Sequence, residues 1–128
     1  MKKPPLKFIE RPAYELPNLL KDFNAQTARH DEMTEEQRDK ADAIETHAIN
    51  ATQTILDGIE AIGAAMFSAG SNADWPLGGR TVGALGTLIT HLAVELQYLS
   101  DVQSDMHTRI EMHDREAIAA KAQKGGAK

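Results

Sequence analysis

Five histidines, His30, His47, His91, His107 and His113, are the residues of this 128-residue chain best suited to metal or proton chemistry. Two of them stand four residues before a glutamate: His91 before Glu95, and His107 before Glu111. On a helix that spacing puts both side chains on one face, where they could offer two ligands to a metal. A helical di-metal carboxylate centre needs more, a Glu-x-x-His on each of two helices and further inward carboxylates. No histidine here has a glutamate three residues before it. The pairs read as surface ion pairs contributing on the order of a few tenths of a kcal/mol. No metal and no cofactor is expected.

Nucleophilic chemistry has no better support. The chain lacks cysteine, which excludes a disulfide framework, a thiolate zinc site and a thiol nucleophile. It contains no Gly-x-Ser-x-Gly, no Gly-x-x-x-x-Gly-Lys and no His-Glu-x-x-His. Gly78-Gly79-Arg80 could hold an anion on free backbone amides at a helix start, but helix-start geometry alone explains it. The expectation is a protein without a catalytic site.

Residues suited to gripping another protein are easier to find. Trp75, the sole tryptophan, sits beside Pro76 and Leu77 in a turn, with Arg80 close behind. Tryptophan is enriched at binding hot spots, although packing of Trp75 on Phe67 and Val82 would serve to staple the loop. Tyr98 falls outside the main apolar seam of its helix and is a second candidate contact. Phe8 and Ile9 are too apolar for a free tail and suit an extended peptide laid on a partner.

The elements that must carry these residues are helical. Aromatics amount to only 5%, against 41% hydrophobic and 26% charged residues, an ordinary soluble mix without the signature of a β-sandwich. Residues 1–17 hold four of the five prolines and read as an extended arm. Leu16, Leu19, Leu20 and Phe23 then mark a short amphipathic helix over residues 17–27, with Pro17 in its first turn. Residues 1–30 thus form a proline-rich arm and short helix.

Two long helices follow, over about residues 34–69 and 77–121. Thr34 and Gln37 have capping-box form, and Glu35 and Glu36 suit the helix N-terminus. From Ala41 through Ile44, Ala48, Ala51, Ile55, Gly58 and Ile62, apolar or small residues alternate steps of three and four. A second seam with the same steps runs beside it: Ile49, Thr52, Leu56, Ile59, Gly63 and Met66. Gly70 reads as the C-terminal cap, and Asp74 as the cap of the next helix. That helix carries an unbroken seam from Val82 through Leu85, Ile89, Leu92, Leu96, Leu99, Gln103, Met106 and Ile110 to His113. Gln103 and His113 interrupt it. His113 is expected to lie beyond the partner helix and be wet, whereas Gln103 reads equally well as a register-setting polar residue. The seam decays into alanines, leaving residues 122–128 as a flexible tail.

The fold class is therefore all-α: a long antiparallel, coiled-coil-like helical hairpin with a short N-terminal helix and an arm. Glycines and alanines cluster around the turn, at Gly58, Gly63, Gly79, Gly83 and Gly86 among others. They predict tight helix packing near the tip and wider packing at the open end, or else a docking notch for a partner. Two helices with two seams each cannot hide both. A homodimer forming a four-helix bundle is expected, with Ile49, Leu56, Ile59, Met66, Leu88 and Val102 as its seam. Burying even six such side chains is worth on the order of 9–18 kcal/mol before entropy.

Charge separates the competing functions. The formal net charge is −5, but residues 31–116 carry sixteen acids and five bases, while each end is net basic. An acidic body repels nucleic acid, so only weak binding through the basic termini could occur. Asp31, Glu32, Glu35, Glu36, Asp39, Asp42 and Glu45 form a dense acidic run, which could mimic nucleic acid in a basic groove or simply keep the protein soluble. No signal peptide is legible, and no run of about 18 apolar residues supports a membrane span. The resulting expectation is a cytoplasmic, non-catalytic interaction protein (an adaptor, assembly factor or inhibitor) that binds another protein and itself. The runner-up is an acidic mimic inhibiting a nucleic-acid-binding protein.

Overall fold

The computed structural model describes residues 12–26, 33–74 and 77–126, with the side chains of 16–23 in the first of these stretches. Phe8, Ile9, Asp31, Glu32 and Trp75, singled out above, lie outside the described residues. Among the described residues, three helices make up the regular structure: α1 (Pro12–Gln26), α2 (Glu35–Gly70) and α3 (Gly79–Gly125). The α2 helix packs on α3 and on α1. The all-α class and the helical hairpin are as the heptad pattern predicts.

The α2 helix begins as its sequence dictates. The Thr34 hydroxyl accepts from the Gln37 N–H at 3.2 Å, and Gln37 Oε1 accepts from the Thr34 N–H at 2.8 Å. Two amides that a helix end leaves orphaned are thereby satisfied. Thr34→Ala is expected to lower stability by about 1 kcal/mol, read as a shifted denaturant midpoint.

Antiparallel register is set by two cross-pairs. Arg38 meets Asp114, and Glu45 meets His107. Seven residues forward on α2 thus correspond to seven residues backward on α3, one heptad on each. By this register Glu35 lies level with Ala117. Ile118 therefore overhangs the end of α2 and is exposed.

Four boundaries differ from the sequence reading. The α1 helix starts at Pro12 and keeps Pro17 inside it. Pro12 takes the first-turn role assigned to Pro17, because a first-turn residue needs no N–H partner. Pro17 then costs the helix one hydrogen bond, offset by burial of Leu16, Leu19 and Phe23. At the turn, Gly70 is the last helical residue and Ser71 the cap, with its N–H donating to the Phe67 carbonyl. Asp74 does not cap α3. Its N–H donates to Asn72 Oδ1 in a local turn, and Gly78 is the N-cap, offering no side-chain bond. Finally, α3 runs through residues 122–125, since alanine, glutamine and lysine favour helix.

The core lies at the open end. Phe23, Ile44 and Met106 are its largest fully buried apolar side chains, with Leu16, Leu19, Leu99 and Val102 around them. Ala41, Ala43 and Ala48 are fully buried as well, and their small size lets the neighbouring helices close in. Tight packing therefore occurs where α1 makes a third helix, and not at the tip. At every glycine of the tip cluster, an added Cβ would meet nothing within 4 Å. The expectation of close packing there is overturned within the single chain.

Candidate interaction surface

The distal hairpin is built from helices that bury nothing completely. No residue of 49–70 on α2 and none of 79–98 on α3 is buried. Ile49 is 44% exposed, Leu56 46%, Leu88 43% and Phe67 79%. Val82, Val94 and Tyr98 are likewise exposed. The three–four spacing of Ile49, Leu56, Ile59 and Met66 puts them on one stripe of α2, and the last two are half-buried. Scattered exposed apolar residues are ordinary on a monomer, whereas a stripe of them is a mark of interaction.

The sequence-derived residues do not all gather here. Val102 is buried in the chain's own core, which removes it from any free seam. Leu77 and Arg80 are exposed at the tip. Tyr98 lies eighteen residues beyond Arg80 on the same helix, about 27 Å away, so tip and tyrosine form no single site. Phe67, Val94 and Met112 are exposed apolar residues that the sequence reading passed over as contacts. Their signal was available, since each falls off the main seam of its helix.

The charged open end is partly self-neutralised. Arg38 donates twice to Asp114, each bond 3.0 Å, in a two-pronged pair. Lys40 reaches Asp22 of α1 at 2.7 Å and Glu36 at 3.5 Å. His107 donates from Nδ1 to Glu45 at 3.1 Å, while its Nε2 stands 3.8 Å from Glu111. His113 is not wet: its side chain is 15% exposed and lies between Asp114 and Glu35. Its expected place beyond α2 was wrong because α2 begins level with residue 117. His91 and Glu95 form the exposed surface pair expected of them, 3.5 Å apart. Of the acidic run, Asp39 is exposed, Asp42 is half-buried, Glu36 faces Lys40, and Glu35 and Glu45 face His113 and His107. In both histidine clusters the carboxylates approach opposite ring nitrogens, so they do not converge on one point. Among the described residues no group of three such side chains could hold a metal ion.

The Arg38 guanidinium holds the Asp114 carboxyl well below the usual carboxylate range, with a smaller contribution from His113. A depressed folded-state value stabilises the fold above the ordinary aspartate pKa, and that stability drains as pH falls toward the folded value. Solvent screens the pair, since Asp114 is 44% exposed. Asp114→Asn is therefore expected to shallow the acid limb of stability measured below about pH 4. Stability near pH 7 should drop only slightly.

By length and composition α3 includes an 18-residue window of mean hydropathy 1.2, enough to pass as a membrane span. Only 6% of that window is buried. The chain matches no protein-family model, no curated protein and no solved structure.

Proposed function

We propose that this chain is a non-catalytic protein-interaction module that presents the face of a rigid helical hairpin and associates with itself. Two hairpins would make a four-helix bundle with two-fold symmetry. One observation carries the reading: over its distal half the hairpin buries no residue fully on either helix and leaves Ile49, Leu56, Phe67, Leu88 and Val94 exposed. Helix pairs hide one stripe each, and the remaining stripe stays in water until another helix covers it. An adaptor, assembly factor or inhibitor works through such faces, in the cytoplasm on this reading. The chemistry calls for no metal and no cofactor.

Light scattering or sedimentation at micromolar concentration tests self-association. The expected species has twice the 14.0 kDa chain mass. A homogeneous single-chain species would reject the dimer.

A further inference from the structure

We infer that the second copy docks antiparallel along the stripe from Ile49 to Met66, with the two tips overlapped and the two open ends pointing apart. This rests on the self-association proposed above and assigns its surface and direction.

The stripe is complementary to its own reverse. Its steps of three and four read the same in both directions. Antiparallel pairing about its midpoint sets Ile49 opposite Met66, Thr52 opposite Gly63, and Leu56 opposite Ile59, each pair occurring twice. Large side chains meet large ones in four layers. In the other two, threonine fills the space that glycine leaves. Gly63 is exposed, and a Cβ there would meet nothing within 4 Å in the single chain. Glycine inside a helix is costly relative to alanine, and close approach by another helix is the usual compensation. Parallel pairing would instead stack glycine on glycine and leave a gap.

Charge points the same way. Residues 61–94 carry one acid, Asp74, and one base, Arg80. The chain's whole net charge of −5 therefore lies outside them. Parallel docking sets two acid-rich open ends side by side. Antiparallel docking places them about 65 Å apart at 1.5 Å per residue, many times the ~8 Å over which physiological salt screens charge. Asp57 and Glu60 flank the middle of the stripe in either arrangement, so they do not choose between them.

A lipid surface fits less well. Only α3 carries a long enough apolar window, 18 residues or about 27 Å, whereas the uncharged end of α2, residues 61–70, is about 15 Å long, well short of a hydrocarbon core of about 30 Å. Acids stand at their far flanks, Glu60 and Glu95, with Arg80 the one base beside them, where an anionic membrane would favour several bases.

The absence of cysteine makes a single introduced thiol unique. Glu116→Cys, exposed and level with Glu36 in the hairpin register, carries a spin label. The expected result is a dimer with labels about 65 Å apart. A dimer with labels under about 30 Å apart overturns this arrangement and leaves the interaction module standing. A monomer overturns this arrangement and the self-association it rests on, as does a monomer that floats with vesicles containing phosphatidylserine.

A second arm tests the layers. Gly63→Thr has room in the single chain and is expected to weaken self-association about tenfold or more by overpacking against Thr52 of the other copy. Adding Thr52→Gly to it exchanges the two members of the layer and should restore the parent affinity. Unchanged affinity for Gly63→Thr, or no recovery in the double variant, overturns the pairing.

Discussion

Phe23→Ala should destabilise the fold by about 3–5 kcal/mol, read as a large drop in the urea midpoint of the helical circular dichroism signal. Phe23 is 0% exposed, and the Arg109 guanidinium of α3 lies over its ring, 5.5 Å from the centroid. The ring thereby joins α1 to the hairpin through burial and a cation–π contact. Lys40 and Asp22 clamp the same helix from its exposed edge. A domain of this size has a total stability of about 5–15 kcal/mol, so truncating one ring removes a large share of it. The competing view, α1 as a detachable arm, expects a loss of about 0.5 kcal/mol, as for any surface change. Ile44→Val, equally buried, gives the scale of a single methyl group in that core at about 1 kcal/mol.

The importance of α1 explains why the hairpin was easier to read than its packing. Heptad spacing is a property of one helix, and it placed α2 and α3 to within a few residues. Thr34 and Gln37 were legible because a capping box is local, with both partners three residues apart. The position of the core was not local. It depends on where a third helix lies, and nothing in the glycines near the tip reports that α1 docks at the opposite end. Ala41, Ala43 and Ala48 carry the small-residue signal for close approach, but their heptad positions look the same as those of the tip.

The histidines follow the same rule. His107 with Glu111 is visible as a spacing on one helix, whereas Glu45 enters only through the register between helices. That register is fixed by Arg38 and Asp114, which close the open end with two parallel bonds across the helices. His113 was misplaced by a single quantity, the length by which α3 outruns α2. On the interaction surface, Val102 was lost to the core at the open end, whereas Tyr98, one turn nearer the tip, stays exposed.

Leu56→Glu is expected to abolish self-association at micromolar concentration while leaving the single chain helical and folded. Leu56 is 46% exposed in one chain, so the substitution disturbs little that the chain buries by itself. In a two-fold dimer each substitution counts twice. Each leucine has about half its surface left to bury, so the two together are worth about 1.5–3 kcal/mol, and every 1.4 kcal/mol is about tenfold in affinity. The loss is thus about tenfold to a hundredfold before the cost of placing two carboxylates in an apolar seam is added. Sedimentation of the variant should give the single-chain mass, and its urea midpoint should fall only by the coupling that dimerisation contributed. Retained dimer would move the interface off this stripe of α2. Simultaneous loss of dimer and of helix would mean that the distal hairpin has no fold of its own to present, and the rigid-face reading would fail with it. Phe23 and Leu56 therefore probe opposite ends of one rod: the first removes the support that holds the hairpin closed, and the second removes the cover that the exposed half requires.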